Sequence, residues 1–150
     1  MRAAAGGDSR WTRWLARPAN ERWLLLRASS LLVLTRCALR TIGFAALRKL
    51  LDAPVAPPDA LRTEEAHLAA QSIESAARHL PFATTCLDRA VALCWMLRAE
   101  HLGGSLHIGV KKSGDRLAAH AWVERIGERL LDDGGGDFDS FDAALLGGHR

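Results

Sequence analysis

Cys86, His120 and Asp132 are the residue types that carry acyl transfer through a thiolate. A nucleophilic cysteine must lose its proton, an imidazole must take that proton and return it, and an acceptor must orient the imidazole. Cys86 lies in Thr85-Cys86-Leu87-Asp88-Arg89-Ala90. Thr84 and Thr85 suit an N-cap there, and Leu87, Ala90, Val91, Cys94, Trp95 and Leu97-Arg98 follow at helical spacing. A thiol in the first turn of a helix sees the positive end of the macrodipole, which favours the nucleophilic thiolate. Taken alone, a cysteine among apolar residues reads more readily as core packing. The residues downstream change that balance.

His120 falls in a strand pattern. Leu117, Ala119, Ala121 and Val123 make an apolar face, and His120, Trp122 and Glu124 point the other way. His120 is therefore not simply another core position, and Trp122 beside it can shelter the pair from water. An acid on the following strand would orient the imidazole. An odd-length loop around Gly127 puts Asp132 on the face of His120, whereas a two-residue loop puts Asp133 there.

The elements that hold these residues follow from the hydrophobic periods. Residues 1 to 9 read as disordered. Trp11, Trp14 and Leu15 open a first helix that Pro18 interrupts, and Asn20 can cap a second that runs through Leu39. The second is apolar around most of its circumference, so it is expected to be buried, with Trp23 and Cys37 in the core. Asp52 to Asp59 is a proline-rich connector. It separates a basic, Trp- and Leu-rich helical arm (1–52), packed on the core, from a catalytic core (53–150), and the two form one continuous unit. Thr63 starts an amphipathic helix with Leu68, Ala69, Ile73, Ala76, Ala77 and Leu80 inward. After Gly103-Gly104 the period changes from 3.6 to 2, with Leu106, Ile108 and Val110 on one face. Lys112 to Asp115 turns the chain into the His120 strand. Gly134-Gly135-Gly136 then frees the chain before Phe138 and Phe141. Helices followed by an antiparallel meander predict an α+β fold.

Composition excludes several function classes. Apolar residues are 49% and charged residues 25%, as in an ordinary globular domain. Three irregularly spaced cysteines form no disulfide framework and no zinc motif. His67, His79, His101 and His107 read as solvent-facing or helix-end residues, and Asp137, Asp139 and Asp142 lack calcium-loop spacing. The first fifty residues carry ten Lys or Arg against Asp8 and Glu21, a balance of +8; the remaining hundred carry ten against fifteen. The arginines are scattered among leucines and tryptophans, which argues against nucleic acid. No uncharged run approaches the roughly 20 residues of a membrane span and no secretory signal is visible, so a cytoplasmic protein without a membrane partner is expected.

Cys86-Leu87-Asp88-Arg89-Ala90-Val91-Ala92-Leu93, Leu106-His107-Ile108-Gly109-Val110 and Ala119-His120-Ala121-Trp122-Val123-Glu124, with Asp132 twelve residues beyond His120, resemble the transglutaminase-like B proteins of lasso-peptide biosynthesis. The match is closest to their stand-alone leader-peptidase form, the B2 protein. The resemblance implies a papain-like, transglutaminase-like cysteine protease fold and a Cys86, His120, Asp132 triad, which selects Asp132 over Asp133. It implies a cytoplasmic peptidase, working without cofactor or metal, that removes the leader of a ribosomally made precursor before a separate cyclase closes the macrolactam. It also implies as partners the precursor leader and a separate recognition protein (the B1 protein), with the cyclase a further candidate. The alternatives are an acyltransferase or deamidase using the same triad, and a non-catalytic leader-binding module.

Overall fold

Four α-helices precede four strands in a computed structural model that describes residues 18–51, 57–113, 116–131 and 139–140. Helices α1 (Ala19–Thr41) and α2 (Gly43–Leu51) are followed by a 3-10 turn (Ala60–Arg62), α3 (Thr63–His79) and α4 (Cys86–Ala99). Strands β1 (Ser105–Ser113), β2 (Arg116–Arg125), β3 (Glu128–Arg129) and β4 (Asp139–Ser140) form one antiparallel sheet in the order β3-β2-β1-β4. The α+β order is the one that the change of hydrophobic period predicts. The expected helix at Trp11 and Trp14, connector residues 52–56, Gly114 and Asp115, Asp132 and Asp133, the glycine run, Phe138 and Phe141 lie outside the described residues.

Helix α4 is the centre of the core. Ala90, Val91, Ala92, Leu93, Cys94, Met96 and Leu97 are all buried, so it is covered on nearly every side. Helices α1 and α3 and strands β1 and β2 all pack against it. The small residues Ala90, Ala92 and Cys94 let those neighbours approach. Leu93, Met96 and Leu97 fill the remaining space, each burial worth about 1.5–3 kcal/mol.

Helix α1 departs from expectation. It buries one face only, through Ala28, Leu32 and Thr35. Trp23 is 67% exposed, Leu34 63%, Leu26 49% and Val33 39%, and Cys37 is exposed as well. At 100° per residue these positions fall on one side of the helix, and α3 and α4 occupy the other. The expected all-round burial, with Trp23 and Cys37 inside, is therefore corrected. The helix begins at Ala19 with Pro18 in the N-cap position and no side-chain cap, so Asn20 is inside the first turn rather than capping it. Gly43, at φ +79°, breaks the path between α1 and α2.

Helix α3 starts at Thr63 as its spacing predicts, and it buries Ala66, Ala69, Ala70, Ser72, Ile73 and Ala76. Leu68, expected inward, is 52% exposed and lines a groove with Leu24, Leu25 and Leu130. Beyond α4 the chain passes through Gly103 at φ +71°, where a Cβ would stand 2.9 Å from the Pro58 side chain. Arg125 fastens the sheet to the start of α3. Its buried guanidinium donates to the carbonyls of Leu102 (2.9 Å) and Asp59 and to the Thr63 hydroxyl (3.1 Å). Neutral acceptors thus satisfy a buried cation that would otherwise be costly.

Candidate active site

Cys86 is the first residue of α4 and is half-buried against the edge of the core. A complete capping box sets its position. The Thr85 hydroxyl accepts from the Asp88 N–H at 3.1 Å, and the Asp88 carboxylate accepts from the Thr85 N–H at 2.8 Å. Such a box fixes where the helix starts, and with it the direction of the Cys86 side chain. The first N–H groups of a helix have no acceptor within it, so the amides of Cys86 and Leu87 are available to an external oxyanion.

Arg36 of α1 holds the segment ahead of Cys86. It donates to the Ala83 carbonyl at 2.6 Å and to Asp88 at 3.3 Å, and its guanidinium stacks over the Phe82 ring at 4.9 Å. One residue further on, Arg89 pairs with Glu74 of α3 at 3.1 Å. Asp88 and Arg89 thus serve the helix start and a local ion pair, as their placement in the first turn predicts. Asp88 is buried to 4% exposure, and its charge is met by the Thr85 amide and the Arg36 guanidinium.

His120 stands on β2, the strand against which α4 packs. The β1–β2 register pairs Leu106 with Val123 and Ile108 with Ala121, which belong to the helix-facing core. The alternate pairs, His107 with Trp122 and Gly109 with His120, make the other face. Gly109 offers no side chain across from His120, which leaves the imidazole room. Trp122 is 1% exposed and lies between two imidazoles. Its ring centroid is 6.1 Å from that of His120 and 5.7 Å from that of His107, with interplanar angles of 19° and 16°. The Arg129 guanidinium covers the same indole at 4.6 Å.

His107 is therefore not simply a solvent-facing residue. It is half-buried in this stack, with Nε2 3.3 Å from the Ser105 hydroxyl and 3.9 Å from Glu124. The β1–β2 register, which pairs Ser113 with Arg116, sets His107 opposite Trp122.

The loop between β2 and β3 has two residues, Ile126 at φ 51° and Gly127 at φ 75°, and it pairs Arg125 with Glu128 and Glu124 with Arg129. Continued regularly, that parity would set Asp133 on the face of His120. The Leu130 N–H still donates to the Val123 carbonyl at 2.9 Å, in the same register, but the alternation of faces ends there. The chain bends at Leu130 and Leu131, and both pack against the helical core. Loop parity therefore does not choose between the two acids, and both lie outside the described residues.

The remaining cysteines differ from Cys86. Cys94 is buried, and burial pushes its thiol up to about 12, with Arg98 only partly opposing the shift. Cys37 is exposed on α1. Among the described residues no group of His, Cys, Asp and Glu is arranged to hold a metal ion.

Cys86 thus heads a helix that packs on β2, the strand that carries His120 on its other face. The family model described as transglutaminase-like superfamily matches residues 30–145, a span that includes Cys86, His120 and Asp132. The chain belongs to the transglutaminase-like superfamily, whose members are typically cysteine-based catalysts and include peptidases and acyltransferases. No curated protein and no solved structure matches the chain. No helix among the described residues is long and apolar enough to cross a membrane.

Proposed function

We propose that this chain is a cytoplasmic cysteine endopeptidase of papain-like architecture that removes the leader from a lasso-peptide precursor before a separate cyclase acts. The observation that carries the reading is Cys86 at the first position of a box-capped helix, within a transglutaminase-like domain. The sequence resemblance supplies the substrate class.

In this mechanism the Cys86 thiolate adds to the carbonyl of the last leader residue, and the amides of Cys86 and Leu87 stabilise the oxyanion. His120 gives its proton to the core amine as the C–N bond breaks, leaving a thioester. His120 then takes a proton from water, whose oxygen attacks the thioester and releases the leader carboxylate and the thiolate. Asp132 accepts from the imidazole N–H and holds the ring in the productive tautomer. Trp122, packed parallel to His120, limits water around the imidazole. A separate recognition protein presents the leader.

The test is mass spectrometry of the precursor incubated with this protein and the recognition protein. Two fragments whose masses sum to the precursor plus one water, with a free amine on the core, are expected. An intact precursor carrying a deamidated or amine-substituted glutamine would replace the peptidase with an acyltransferase or deamidase. An intact, merely bound precursor would make the chain a leader-binding module.

A further inference from the structure

One side chain of the helical arm reaches residues on both sides of Cys86. Residues 80–85 link the end of α3 to Cys86 with no regular structure of their own, so their path depends on contacts from outside. Arg36 supplies such contacts from α1. Its neighbours Leu32 and Thr35 are buried, which fixes the rotation of the helix at this point. From there the guanidinium stacks over Phe82 and donates to the Ala83 carbonyl and the Asp88 carboxylate. These three residues bracket Cys86 in the chain.

Asp88 gives the contact its weight. A capping box on the surface needs no cation, because water meets the remaining charge of its acid. Here the Asp88 side chain is 6% exposed, and its Oδ2 accepts from both the Thr85 N–H and Arg36. Removing the cation from a buried carboxylate is costly. Without Arg36, Asp88 would take up a proton or swing out to water, and either change loosens the box that sets Cys86. If it kept its charge in place, it would oppose a thiolate beside it. Arg89 is no substitute, because Glu74 of α3 engages it.

We infer that Arg36 is a positioning residue for Cys86, which makes the helical arm part of the active site. It acts through the Ala83 carbonyl and the Asp88 charge rather than on the substrate. The inference rests on the reading of Cys86 as the nucleophile.

The test compares Arg36→Met, Arg36→Lys and Arg40→Met in a Cys37→Ser background. Two rates are measured, iodoacetamide labelling of Cys86 in the folded protein and cleavage of the precursor. Arg36→Met should label Cys86 severalfold more slowly. It should also lower kcat about tenfold or more with KM little changed, because a misplaced nucleophile costs rate rather than binding. Arg36→Lys keeps the charge but not the planar fork, and should recover part of both losses. Arg40, exposed a turn further along α1, is the control, and Arg40→Met should match the parent. The loss caused by Arg36→Met should shrink in an Asp88→Asn background, where no buried charge is left to neutralise. A merely structural role predicts the opposite sign, since a loosened fold exposes thiols and both Cys86 and Cys94 would label faster. That result, or unchanged labelling of Cys86 in folded Arg36→Met, would overturn the inference. The labelling comparison needs no precursor, so it decides this inference separately from the peptidase reading.

Discussion

Cys86 and Cys94 sit two turns apart on α4, on roughly the same side, yet their surroundings give them different chemistry. Cys86 heads the helix beside a closed capping box and keeps part of its surface in solvent. Cys94 lies in the middle of the same helix, enclosed by the core, where desolvation holds it as a thiol. The helix that offers backbone N–H groups to the first residue offers none to the ninth, because there each one is bonded to a carbonyl a turn earlier. Position on the helix, rather than residue type, separates a candidate nucleophile from a packing residue.

The largest expected effect is on alkylation. At pH 8 a thiol at about 12 has about a thousandfold less thiolate than one at the ordinary 9.0, so Cys94 should resist iodoacetamide in the native protein. In a Cys37→Ser background, peptide mapping should find Cys86 modified and Cys94 intact. Equal labelling would erase the contrast.

The acid proposed to orient His120 comes next. Asp132→Ala should slow cleavage by about a hundredfold or more, as loss of an imidazole's orienting acceptor does, with Asp133→Ala costing less than about tenfold. The reverse ranking, read by initial rates, would transfer the role to Asp133.

A smaller effect concerns pH. The fold holds a Cys94 proton that the unfolded chain releases above 9.0, so between pH 9.0 and about 12 the native state binds more protons. Stability should therefore fall as pH rises through that window, by up to about 1.4 kcal/mol per pH unit, and be unaffected by this group below it. Urea titrations of Cys94→Ala should lack that slope. At the helix head, Thr85→Ala should remove about 1 kcal/mol of stability by opening the capping box. It should also lower the cleavage rate more than Cys94→Ala does, because it frees the residue next to Cys86.

Much of this arrangement was legible in the sequence because it is local. Thr85 and Asp88 announce the cap, the strand alternation separates His120 and Trp122 from Ala121 and Val123, and the glycines mark the turns. What escaped depends on partners distant in sequence. The apolar circumference of α1 does not reveal that α3 and α4 cover one side only, so Trp23 and Cys37 were expected inside. The central place of α4 follows from four elements, α1, α3, β1 and β2, that pack against it, and these are distant in sequence. His107 seemed peripheral until the register set it against Trp122. Parity leaves the choice between Asp132 and Asp133 open, because Leu130 and Leu131 both turn to the core and end the alternation on which parity depends.

The most direct test places Cys86→Ala and Cys94→Ala side by side in the precursor cleavage assay with the recognition protein present. The account predicts no cleaved core from folded Cys86→Ala and nearly parental cleavage from Cys94→Ala. Cleavage by Cys86→Ala would contradict it.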